Sequence, residues 1–98
     1  MRLTDYEIEA IIKSFKEVFK KGEIYLFGSR VDDTKRGGDI DLYIITPKEN
    51  STIDNKIKFL ISLQDKIGEQ KIDVVISKDK NRLIEQEAIK RGVKLYEG

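Results

Sequence analysis

The sequence predicts an α/β (α+β) fold: a small mixed β-sheet of about four strands flanked by helices. Three observations carry it. Short runs rich in β-branched and aromatic residues (EIYLF, DIDLYIIT, KIDVVIS, VKLYE) are separated by segments whose apolar residues recur at helical spacing. The resulting order is α-β-β-α-β-α-β. With 98 residues there is room for one modest core, and no repeat, linker or low-complexity tract divides the chain, so 1–98 reads as a single domain.

Each element has its own signal. Thr4 with Glu7 has the spacing of a capping box, and Ile8, Ile11, Ile12, Phe15, Val18 and Phe19 share one helix face. A helix from about 4 to 20, ended by Gly22, follows. EIYLF (23–27) is the first strand, and DIDLYIIT (39–46), closed by Pro47, is the second, with the polar loop Arg30 to Gly38 between them. Asn50 or Ser51 caps a second helix carrying Ile53, Ile57, Leu60, Ile61 and Ile67, which stops at Gly68. KIDVVIS (71–77) is the third strand, Asp79 caps a third helix running to about Arg91, and VKLYE (93–97) is a last strand at a sheet edge.

Composition narrows the chemistry. Lys and Arg (19) nearly balance Asp and Glu (18), so the chain lacks the basic footprint that drives binding to long nucleic acid. It has no Cys and no His, which removes thiolate and imidazole metal sites and Ser-His or Cys-His nucleophile pairs. Any metal must be held by oxygen. The start MRLTDYEIEAIIKSF does not read as a signal peptide, and no segment approaches the roughly 20 apolar residues of a membrane span. A cytoplasmic protein without a membrane partner is the expectation.

Strand geometry then gathers three acids. Successive side chains on a strand point to opposite faces, so Asp39 and Asp41 share one face while Ile40, Leu42 and Ile44 bury the other. Carboxylates roughly 6.5 to 7 Å apart repel by about 2 to 3 kcal/mol at an effective dielectric near 20, which a cation would relieve. The second and third strands are joined through a helix and are therefore parallel, which brings Asp73 to the same edge. The first two strands are antiparallel, so Gly28 and Ser29 end up facing the acids. A Gly-Ser turn offers backbone N–H groups and a hydroxyl, which suit phosphate oxygens. A nucleoside triphosphate with magnesium satisfies both halves. Phosphatases and receiver domains place their acids after the apolar run of a strand, whereas here the acids come first.

The order Gly-Ser, loop, D-x-D, then a third Asp on a later strand resembles the nucleotidyltransferase superfamily that includes DNA polymerase β. Because the chain is little more than that catalytic core, it most resembles the minimal nucleotidyltransferases, over Tyr25 to Asp73. The resemblance implies that Gly28 and Ser29 hold the triphosphate and that Asp39 and Asp41 ligate two magnesium ions. Asp73 would complete one metal site and help activate the incoming hydroxyl. Of the loop cations, Arg30 adjoins Ser29 and is the first candidate to neutralise phosphate, with Lys35 and Arg36 behind it. One departure is Gly38, which stands where many members have Ser. The family further implies transfer of AMP from ATP to a hydroxyl of an all-helical HEPN-type partner, with the pair acting as antitoxin and toxin. Two other classes stand beside this one: a catalytically weak binding module for a helical partner, and a magnesium-nucleotide sensor. Base preference, acceptor and homo-oligomer formation are not marked by any motif.

Overall fold

Alternation of apolar residues on β-branched runs builds a four-stranded sheet, and two amphipathic helices cover its apolar face. The computed structural model describes residues 1–34 and 38–98; Lys35 and Arg36, assigned a phosphate role above, lie outside the described residues. The elements are α1 (Asp5–Val18), β1 (Glu23–Phe27), β2 (Ile40–Ile45), α2 (Ile53–Ile67), β3 (Ile72–Ile76), α3 (Leu83–Arg91) and β4 (Val93–Glu97), with short 3-10 turns at Gly28–Val31 and Lys48–Asn50. The sheet order is β3-β2-β1-β4, so the last strand is at an edge as expected.

Pairing follows the predicted senses. β1 and β2 run antiparallel with Phe27 opposite Asp41, and β2 and β3 run parallel with Asp41 opposite Asp73. Ile24 and Leu26 of β1 and Ile40, Leu42 and Ile44 of β2 point to one face, where Ile11 and Phe15 of α1, Phe19 at its C-cap, and Phe59 and Leu63 of α2 bury them completely. The other face is divided. α3 covers its far half, with Ala88 on the Tyr25 and Tyr43 rings, while the near half carries the acids. Tyr43 is fully buried there.

Helix ends show where local signals compete. At α1 the capping box forms as read: Glu7 N–H donates to Thr4 Oγ1 at 3.1 Å, and Thr4 N–H to the Glu7 carboxylate at 2.9 Å. The helix stops at Val18, ahead of Gly22, because Lys20 takes the left-handed conformation with φ 70°. α2 is capped by Thr52, not Asn50 or Ser51: Asn55 N–H donates to Thr52 Oγ1 at 3.1 Å. Asn50 is otherwise engaged, its amide donating to Phe19 O at 3.0 Å, and the Ser51 N–H closes the preceding turn on Lys48 O. Asp79 does not cap α3. Its Oδ1 accepts from Asn81 N–H at 2.9 Å in a local turn, and the helix begins only at Leu83. No helix among the described residues is long and apolar enough to cross a membrane.

Candidate active site

β1 ends at Phe27, and the chain turns through Gly28–Val31 directly against β2. Gly28 has φ +77°, and a Cβ placed there would lie 2.3 Å from Asp41 Oδ2. Only glycine combines that conformation with that contact. The turn and the carboxylate are therefore in touch, as the antiparallel pairing requires.

A second close approach is at Gly38, the position of the departure from the family pattern. A Cβ on Gly38 (φ +90°) would sit 2.2 Å from Ser29 Oγ. The Ser29 hydroxyl thus occupies the space a side chain at position 38 would need. Gly28, Ser29, Gly38 and Asp41 converge.

The acids are unequally placed. Asp41 and Asp73 are register partners on adjacent parallel strands, half-buried and exposed respectively. Burial pushes the Asp41 carboxyl above its ordinary range, and the negative charges of Asp73 and Asp39 push it further; Lys71 opposes them weakly. Asp39 lies just before β2 and pairs with Lys71 Nζ at 3.5 Å, a largely exposed contact of small energetic weight. Among the described residues no three acidic side chains converge closely enough to hold a metal ion, so the predicted triad is gathered on one edge without forming a closed cage.

Two clefts meet at Phe27. One is lined by Asp41, Asp73, Val75 and Ile84, and the other by Gly28, Ser29, Glu87 and Arg91. Sequence reading missed Arg91, since a basic residue in the last turn of a helix reads as dipole compensation. Arg30, expected to face phosphate, is turned elsewhere. Its Nε donates to Gly38 O at 3.2 Å and its Nη1 to Arg2 O at 3.0 Å, so it ties the two ends of the loop together.

On the same sheet face, under α3, lies a buried carboxylate with no sequence signal. Glu85 is 0% exposed and accepts from Ser77 Oγ (2.6 Å), Tyr43 Oη (2.7 Å), the N–H groups of Asp79 (2.9 Å) and Lys78 (3.0 Å), and Arg82 Nη1 (3.3 Å). Burial alone would raise its pKa, but these donors outweigh it and bring it to about 2. The network locks the β3–α3 connection onto β2.

The comparisons agree with this architecture. The polymerase beta nucleotidyltransferase family model matches residues 8–98. A crystal structure of the toxin-antitoxin MntA-HpeT, in mutant form, superposes with a TM-score of 0.73 at 20% identity, over 93% of this chain and 73% of that one. A crystal structure of a toxin-antitoxin with AMP-PNP gives 0.74 at 22% identity with the same coverages. No curated protein matches the chain. With the Gly-Ser turn, the paired acids and the strand order all falling inside the matched residues, the chain belongs to the polymerase beta nucleotidyltransferase family.

Proposed function

We propose that the chain is a magnesium-dependent transferase that moves AMP from ATP onto a hydroxyl of a HEPN-type helical toxin and so acts as its antitoxin. The observation that carries this reading is the contact between the Gly28 turn and Asp41: a backbone able to approach phosphate oxygens abuts a carboxylate whose register partner on the next strand is a second one, Asp73. The solved structure of a toxin-antitoxin with AMP-PNP, alike in fold, supports both the nucleotide and the kind of partner.

By its chemistry the donor set suits magnesium, three carboxylates on one sheet edge that would draw together around the ion. The ion prefers oxygen ligands, and Asp41, held above its ordinary range first by burial and then by the charges of Asp73 and Asp39, stands where a cation would be welcome. Asp39, Asp41 and Asp73 would hold two ions, which when bound lower the pKa of the acceptor hydroxyl and stabilise charge on the leaving pyrophosphate. The chain's own groups do the rest. Gly28 and Ser29 bind the triphosphate through backbone N–H groups and the Ser29 hydroxyl, and Arg91 adds a cation across the same cleft. Asp73, exposed on the edge strand, orients the incoming hydroxyl and accepts its proton. The new bond joins that oxygen to the α-phosphorus, and the bond to the pyrophosphate oxygen breaks.

The test is transfer of label from α-labelled ATP with magnesium to protein in a lysate, comparing wild type with the Asp39→Asn, Asp41→Asn double variant. Label on one protein species, lost in the variant, is expected. Absence of label with all four triphosphates from a folded protein would overturn transfer and favour the binding module.

A further inference from the structure

The carbonyl groups of the turn that follows β1 converge on one residue ahead of the family match. Arg2 Nη2 donates to Ser29 O at 2.8 Å, Arg2 Nε to Asp32 O at 2.9 Å, and the Arg2 N–H to Arg30 O at 2.7 Å. Arg30 returns the bond through Nη1 to Arg2 O at 3.0 Å. The family model begins at residue 8, so Arg2 lies ahead of the matched residues while its partners lie within them.

Its consequence follows from peptide geometry. In a planar trans peptide the C=O and the following N–H point in opposite directions. Drawing the Ser29, Arg30 and Asp32 carbonyls toward Arg2 therefore aims the N–H groups of Arg30, Val31 and Asp33 away from it. The planar guanidinium, with its donors in a rigid fork, fixes two of these peptide planes in a set relative orientation, which the rotatable ammonium of a lysine does not impose. The Arg2 head also stays close to the converging groups: a Cβ on Gly38 would be 3.9 Å from Arg2 Nη2 and 2.2 Å from Ser29 Oγ. A permanent positive charge thus stands near the Ser29 hydroxyl.

We infer that Arg2 is a positioning residue that sets the anion-binding geometry of the Gly28–Val31 turn, so that triphosphate affinity depends on an arm outside the family core. This rests on the nucleotide-binding reading above. The experiment measures binding of ATP with magnesium, and of AMP, to the full chain and to its Arg2→Ala and Arg2→Lys variants. Amide hydrogen exchange of residues 28–33 is followed in parallel. Loss of the charge-assisted bonds predicts about tenfold weaker ATP binding in Arg2→Ala. AMP binding should change less than about twofold, most of the ATP loss should persist in Arg2→Lys, and turn amides should exchange faster. Equal ATP affinity and equal exchange in Arg2→Ala would overturn the inference. So would equal weakening for ATP and AMP, which would mark general loosening of the fold. A wild type that binds no ATP, with a protected turn that Arg2→Ala releases, would sink the nucleotide reading and leave the clasp standing as a structural device alone.

Discussion

One face of the sheet carries two kinds of carboxylate within a few residues of each other. Asp41 on β2 faces Asp73, and its pKa is pushed up; Glu85, packed over Tyr43 two residues further along the same strand, is fully buried yet drawn down to about 2. Burial is the first influence on both and raises both. The difference is in the partners. Five donors meet Glu85, whereas among the described residues Asp41 meets two like charges, opposed only weakly by Lys71. Among the described residues the donors gather on the buried acid of α3 and not on Asp41, which suits a site that takes its counter-charge from a ligand.

The contrast can be broken or sharpened by substitution. The largest effect is expected for Asp41→Asn, which should lower label transfer by ~10³-fold or more through lost metal-assisted charge stabilisation, read as initial rate. Glu85→Ala should do the reverse. It strands the Lys78 and Asp79 N–H groups and the Tyr43 hydroxyl, costing about 3 kcal/mol in urea unfolding, while rate per folded molecule holds within about threefold. Gly28→Ala forces a side chain into a left-handed backbone against Asp41 Oδ2, with ~10²-fold slower transfer expected in the same assay.

Acid titration separates the two carboxylates by sign. Glu85 has a folded pKa of about 2 against an ordinary 4.5, so its stabilisation is full above 4.5 and is lost as pH falls toward 2. Asp41 is shifted upward, so its ionisation weakens the fold above its folded pKa, and that penalty is gone below the ordinary 3.8. Asp41→Asn should therefore melt higher than wild type at pH 7 and show no advantage near pH 3, as thermal denaturation would reveal. An Asn variant that is less stable at pH 7 would contradict the upward shift of Asp41. The smallest effect belongs to Lys71→Ala, which removes an exposed pair and should change stability by less than about 0.5 kcal/mol.

Much of this was legible in the sequence because it rests on period and connection. The alternation in DIDLYIIT put Asp41 and the Ile40–Leu42–Ile44 set on opposite faces, and the helix between β2 and β3 forced the parallel pairing that sets Asp73 beside Asp41. The capping box at Thr4 is local and formed as read. What escaped depended on long-range competition for hydrogen bonds. Arg30 adjoins Ser29 in sequence, but carbonyls from Gly38 and Arg2 claim its guanidinium. Glu85 sits in the strongly polar run LIEQEAIKR, where an acid ordinarily means a solvated face, and only the arrival of Ser77 and Tyr43 makes it interior. The cap of α2 moved to Thr52 because Asn50 was drawn away to the end of α1.

Most of the apolar mass that holds the sheet together comes from α1 and α2 on a single side. The half of the opposite face that α3 leaves open is thus freer to vary: exposed loop residues and cations there can be exchanged without repacking either cluster of buried side chains. A scaffold divided in this way can drift between acceptors, or between catalysis and mere capture of a partner, through a handful of surface changes at little risk to folding.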